Sequence, residues 1–136
     1  SSRVMMYAKT FEICLEPWYY HRMQREGSIT NTISHKRVVD VIEMAARLIN
    51  GDDMQRVSEE RREIISNRIM RSVYPMLSYY GKLTKEGKSM VVECCKSNKK
   101  IFSLAPDKRH KIFLLSTRIV GFRISLSMLA RVGGIV

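Results

Sequence analysis

Two arginines three residues apart, Arg22 and Arg25, follow His21 and precede Gly27-Ser28 near the start of the chain. Guanidinium groups in that spacing can present fixed forks to a diphosphate, and bidentate arginine–phosphate contacts are strong and directional. Gly27 tolerates dihedral angles closed to other residues, so the Gly27-Ser28 backbone can approach a phosphate closely. His21 offers a further hydrogen bond or a metal ligand. Each reading has a plainer rival. Arginines near a strand end are commonly solvated or paired with acids such as Glu16 and Glu26, and a lone histidine is commonly structural. Ser28 suits a turn, because no His/Asp constellation surrounds it in sequence. Trp18-Tyr19-Tyr20 suits core and sheet-edge packing, although one of these rings could instead flank a bound ligand.

The element that must position these residues is a strand. Over residues 10–16, Phe11, Ile13 and Leu15 alternate with Thr10, Glu12, Cys14 and Glu16, the period-two pattern of one buried face. Pro17 removes a backbone donor and ends the strand or places it at an edge. The polar stretch 24–31, with Gly27, reads as a loop. Beyond it the period becomes helical. Val38, Val41, Ile42, Ala45 and Ile49 form one stripe, with Ser34 as N-cap and Asn50-Gly51 as the stop. A second helix starts near Ser58 with Glu59 and Glu60 at its positive end and Ile65, Ile69, Val73, Met76 and Leu77 on its apolar face. Pro75 is expected to kink or split it. A third helix over 85–95 buries Met90, Val91, Cys94 and Cys95. The last follows Pro106-Asp107, with Ile112, Leu115, Ile119, Phe122, Leu126 and Leu129 in a heptad seam, and ends at Gly133-Gly134. One strand before four helices is incomplete, since a lone strand cannot satisfy its own backbone groups. Because the chain does not begin with Met, the expectation is a sheet whose other strands lie upstream; pairing with another subunit is the alternative.

Pro17, Tyr19, Tyr20, Arg22, Arg25, Gly27, Ser28 and Ile29 resemble, in order and spacing, the strand-and-loop motif near the end of the catalytic domain in family 2 glycosyltransferases. Trp18 and His21 stand where that family commonly has leucine and a third tyrosine. The later helices are similar only in general character to the variable tails of capsule- and surface-polysaccharide transferases. The resemblance implies a fold class that is mostly α over this chain: one or two N-terminal β-segments from the end of a GT-A α/β domain, followed by a four-helix C-terminal region. It divides the chain into residues 1–33, the end of the catalytic domain, and residues 34–136, the helical region. It further implies a nucleotide-sugar donor whose diphosphate meets His21, Arg22, Arg25, Gly27 and Ser28, with Trp18 and Tyr20 on the acceptor side. A mobile basic loop closing there would stabilise charge on the departing nucleoside diphosphate and exclude water. The family's divalent metal, Mn or Mg, and its catalytic base belong to an Asp-x-Asp motif and a Glu-Asp pair N-terminal to this segment. The adjacent carboxylates present, Asp52-Asp53 and Glu59-Glu60, lie in the helical region and fit neither role. No catalytic residue is therefore assigned, and the 136-residue chain by itself is expected to be inactive.

Composition sets the partners. There are 24 Lys plus Arg against 13 Asp plus Glu, a formal net charge of +11, which draws in nucleic acid, an anionic membrane face or phosphorylated small molecules. The competing reading is a small basic helical module that binds nucleic acid or a partner protein. Against nucleic acid, no helix-turn-helix spacing, zinc motif or RNP-like signature is present. Cys14, Cys94 and Cys95 fit no disulfide framework or CxxC spacing and suit a reducing, cytoplasmic compartment. Ile112–Val136 is the nearest approach to a membrane span, but Arg118, Arg123 and Arg131 interrupt it. The resemblance implies a surface-glycan or lipid-linked acceptor. The basic tail suits peripheral contact with the anionic inner leaflet of the plasma membrane, and the heptad seam suits packing on the catalytic domain or self-association. The plain alternative is that the helices bury their stripes against one another.

Overall fold

A computed structural model describes residues 6–10, 34–104 and 108–133. The expected strand beyond Thr10, the 24–31 loop and the whole segment 11–33 lie outside the described residues. Among the described residues the protein is mostly α, with five α-helices and no strand: α1 (His35–Asn50), α2 (Asp52–Gln55), α3 (Glu59–Ser78), α4 (Lys85–Ser97) and α5 (Lys108–Gly133). Short 3-10 turns at Tyr79–Lys82 and Lys99–Ser103 join α3 to α4 and α4 to α5. The added helix relative to the expected four is the single turn α2, packed into the α1–α3 connection.

Local chemistry sets the helix ends. Ser34 Oγ accepts from the Arg37 amide at 3.3 Å and caps α1, and Thr84 Oγ1 accepts from the Gly87 amide at 3.2 Å and caps α4. These hydroxyls satisfy donors that have no partner inside the helix. Gly51 stops α1 with an extended backbone, and a Cβ there would stand 2.8 Å from the Arg47 carbonyl oxygen. Arg62 holds the α2–α3 junction: its Nε donates to the Met54 carbonyl at 3.2 Å, and its Nη2 donates to Gln55 and Val57 at 3.1 and 3.2 Å. A side chain that sequence alone assigns to the solvated basic surface therefore acts as a backbone clamp.

The core lies where α1, α3 and α4 meet. Val38, Ile42 and Ala45 of α1 face Ile65, Ile69, Val73 and Leu77 of α3 and Val91 and Cys95 of α4, all buried. The α1 and α3 stripes thus match their expected spacing, with Met70 and Tyr74 joining the α3 face and Met76 only half-buried. On α4, Val91 and Cys95 are buried and Cys94 half-buried, but Met90 points out and Val92 takes the inner place. Met90 was expected inside from the run Met90-Val91; the helix turns it to the flank. Close packing of α4 on α1 depends on Gly87, whose missing Cβ would meet His35 Cβ at 2.9 Å.

Two further expectations are corrected. Pro75 does not split α3, which continues to Ser78. It stands in the last turn, on the exposed side, so the backbone bond it forfeits would join groups that already face water. The continuous heptad seam in α5 does not form. Gly121 adopts φ 78°, ψ 168° and divides α5 into two arms. Ser116 Oγ, on the first arm, donates to Ser125 Oγ, on the second, at 2.8 Å. Residues nine apart in a straight helix are separated by about 13 Å of rise, so the arms fold towards each other. Phe102 sits between them, with ring centroids 6.4 Å from Phe113 on the first arm and 5.6 Å from Phe122 on the second. Tyr74 adds an edge-on contact to Phe113 at 5.6 Å. The expected seam residues then separate by role: Leu126 is buried, Phe122 and Leu129 are half-buried, and Ile112, Leu115 and Ile119 face outward.

Candidate functional site

The residues assigned to the donor diphosphate, His21, Arg22, Arg25, Gly27 and Ser28, lie outside the described residues, as do Trp18 and Tyr20 on the acceptor side.

Among the described residues, positive charge converges where α4 passes the bend of α5. Lys85, Lys88, Val92 and Lys96 recur at three- and four-residue intervals and so occupy one side of α4. They line a groove of about 420 Å³ closed on its far side by Phe122 and Arg123, with Tyr80 contributing from the 3-10 turn. Lys88 Nζ lies 5.8 Å from the centroid of the Tyr80 ring, within cation–π reach. Burial raises the Tyr80 phenol above its ordinary value, and the positive charge of Arg123 opposes that shift. The phenol therefore keeps its proton at neutral pH and offers a hydrogen-bond donor beside four cations. Glu93 is the acid lining the same groove. The arrangement can bind an anion: ammonium and guanidinium donors stand around a half-open apolar floor of Val92 and Phe122.

The adjoining flank of α4, which shares Glu93 with the first, has the opposite sign. Glu86 and Glu93 line a groove of about 540 Å³ with Glu43 of α1, and Met90 and Cys94 supply its apolar wall. α4 thus divides a basic groove from an acidic one. The acids do not gather into a metal site: among the described residues no three His, Cys, Asp or Glu side chains are grouped to hold an ion. The divalent metal implied by the family resemblance thus has no ligand set among them.

The thiols next to these grooves are shifted towards their protonated form. Burial pushes the Cys95 thiol up to about 12, with its neighbour Cys94 adding to the shift. Cys94 is also raised, chiefly by burial and secondly by Glu43. Both are free thiols, and a protonated buried thiol is a poor nucleophile. They behave as small apolar side chains, as their sequence context suggests. The basic groove was not singled out in sequence. Its signal was the Lys85, Lys88, Lys96 periodicity, but Arg123 joins it only because α5 bends at Gly121. Comparison with protein-family models, with curated proteins and with solved structures finds no match to this chain.

Proposed function

We propose that the chain is the C-terminal part of a glycosyltransferase that moves a sugar from a nucleotide-sugar donor to a surface-glycan or lipid-linked acceptor on the cytoplasmic side. The observation that carries this reading is the ordered set Pro17, Tyr19, Tyr20, Arg22, Arg25, Gly27, Ser28 and Ile29, in the spacing of the family 2 strand-and-loop motif. In this role Arg22 and Arg25 hold the donor diphosphate and stabilise the charge that develops on it as the glycosidic bond breaks. Trp18 and Tyr20 flank the acceptor. The helices α1–α5 form a unit with its own core. The family resemblance implies a divalent cation, Mn or Mg, which would supply positive charge at the diphosphate, and it assigns none of the residues named here as its ligands.

The test is sugar transfer by the protein expressed from its complete reading frame, with labelled nucleotide-sugars. Arg22→Ala and Arg25→Ala should each reduce kcat/KM by the equivalent of about 1–3 kcal/mol, the worth of a charged hydrogen bond. Wild-type turnover in both variants would remove the phosphate role, and transfer by the isolated 136-residue chain would show that the catalytic groups had been misassigned. A nucleic-acid module is the second reading, favoured by the Lys85, Lys88, Lys96 and Arg123 groove. It predicts duplex binding that weakens steeply as salt rises, whereas the enzyme reading predicts retention of the nucleotide-sugar without DNA.

A further inference from the structure

The stretch His110–Arg131 is long and apolar enough, by length and composition, to cross a membrane. The bend at Gly121 removes that option. Each arm of α5 has about a dozen residues and extends about 18–20 Å, against about 30 Å of hydrocarbon in a bilayer. Yet the apolar character has a use, because the first arm is apolar on two opposite sides. Phe113 packs inward, while Ile112 and Ile119 are 68% and 74% exposed, with Leu115 between them. The second arm repeats the pattern, with Leu126 buried and Ile124 and Met128 exposed. Cations border the exposed aliphatics. Lys111 and Arg118 stand beside the first set, and Arg123 and Arg131 frame Ile124 and Met128 along one shallow surface. No Asp or Glu follows Asp107 in the sequence.

We propose that the outward face of α5 docks flat on an anionic lipid bilayer. Its aliphatic side chains enter the boundary between headgroups and acyl chains, and its lysines and arginines meet lipid phosphates. A short helix whose exposed face carries aliphatic side chains bordered by cations lies in the interface rather than across it. Charge selects the occupant. A second copy of α5 on this face would bring Lys111, Arg118 and Arg131 against their own kind with no acid on either helix to pair them. Nucleic acid would satisfy the cations but leave Ile112, Leu115 and Ile119 in water. An anionic bilayer satisfies both. The inference does not rest on the glycosyltransferase reading, since its readout is lipid binding and not sugar transfer.

The experiment is flotation of the full chain with vesicles of phosphatidylcholine, with and without phosphatidylglycerol. Binding should require the anionic lipid, weaken with salt, and fall about fivefold for each cation reversed to neutral, as in Arg118→Gln or Arg131→Gln. Ile119→Asp, at a fully outward position that leaves the core untouched, should reduce binding at least tenfold while circular dichroism stays unchanged. Met90→Asp, exposed on the acidic flank of α4, should bind like wild type. Equal binding to neutral and anionic vesicles would overturn the proposal. So would unchanged binding by Ile119→Asp, or a lipid-free dimer that Ile119→Asp dissociates. Retention in the membrane through alkaline carbonate would show a spanning helix and would equally contradict it.

Discussion

α3 and α5 each carry a residue that disfavours helix, Pro75 in one and Gly121 in the other, and they respond in opposite ways. An interior proline costs about 3 kcal/mol and an interior glycine about 1 kcal/mol, so intrinsic preference points to α3 as the helix that should break. Packing reverses the order. On α3 the stripe of Ile65, Ile69, Val73 and Leu77 is continuous and buried past Pro75, and each such side chain contributes about 1.5–3 kcal/mol. Beyond its chain neighbours and its own helix backbone, no described atom packs within 4 Å of where a Cβ on Gly121 would stand, so no tertiary contact holds that turn straight. Bending there lets Phe113 and Phe122 both reach Phe102, which a straight helix could not do with residues nine positions apart. Whether a helix breaks is decided by what each side of the break can bury.

That contrast can be broken most forcefully at Phe102. Removing its ring, wholly buried between the two arms, by Phe102→Ala should lower unfolding free energy by about 3–5 kcal/mol in urea titration. A loss under 1 kcal/mol would mean that α5 is not clasped there. Next in size, Gly87→Ala forces a methyl group against His35 Cβ at 2.9 Å and should cost about 1–3 kcal/mol by overpacking; a neutral result would show α1 and α4 to be farther apart than described. Gly121→Ala should cost about 1–2 kcal/mol, because an L side chain is strained at φ 78°. Stabilisation by that variant would instead indicate that α5 prefers to be straight. The smallest effect at neutral pH belongs to Cys95. Its folded value is raised, so the stability it contributes is full below the ordinary thiol value near 9 and lost as pH rises towards about 12. Unfolding free energy measured across that window should fall with pH in wild type and fall less in Cys95→Ala.

Much of α1, α3 and α4 was legible in the sequence because one physical pattern controls each feature, whereas the single turn α2 was not foreseen. A serine before a three-and-four apolar repeat gave the α1 cap, and the α3 stripe was read from the same periodicity. Met90 was misplaced because adjacent apolar residues on a helix lie on different faces, and only the position of α1 says which one turns inward. Arg62 carries no such pattern, because its three carbonyl acceptors come from the single turn α2 and the residues just after it, whose shape no local rule specifies. In α5 the repeat from Ile112 to Leu129 satisfied a heptad, yet Gly121 within it carried more information than the repeat. A glycine in a long apolar helix is ambiguous until its surroundings are known. The candidate groove shares that ambiguity: its lysines are periodic in sequence, whereas Arg123 arrives through the bend.

The bend at Gly121 is the claim on which the clasp of Phe102, the basic groove and the lipid-facing surface all depend. Spin labels at Ile112→Cys and Met128→Cys, both exposed, in a background with Cys14, Cys94 and Cys95 replaced, measure it directly by pulsed dipolar spectroscopy with and without anionic vesicles. A continuous helix separates those backbone positions by about 24 Å. The folded arms predict a separation well short of that value in both conditions, and a distribution centred at or beyond it would contradict the account.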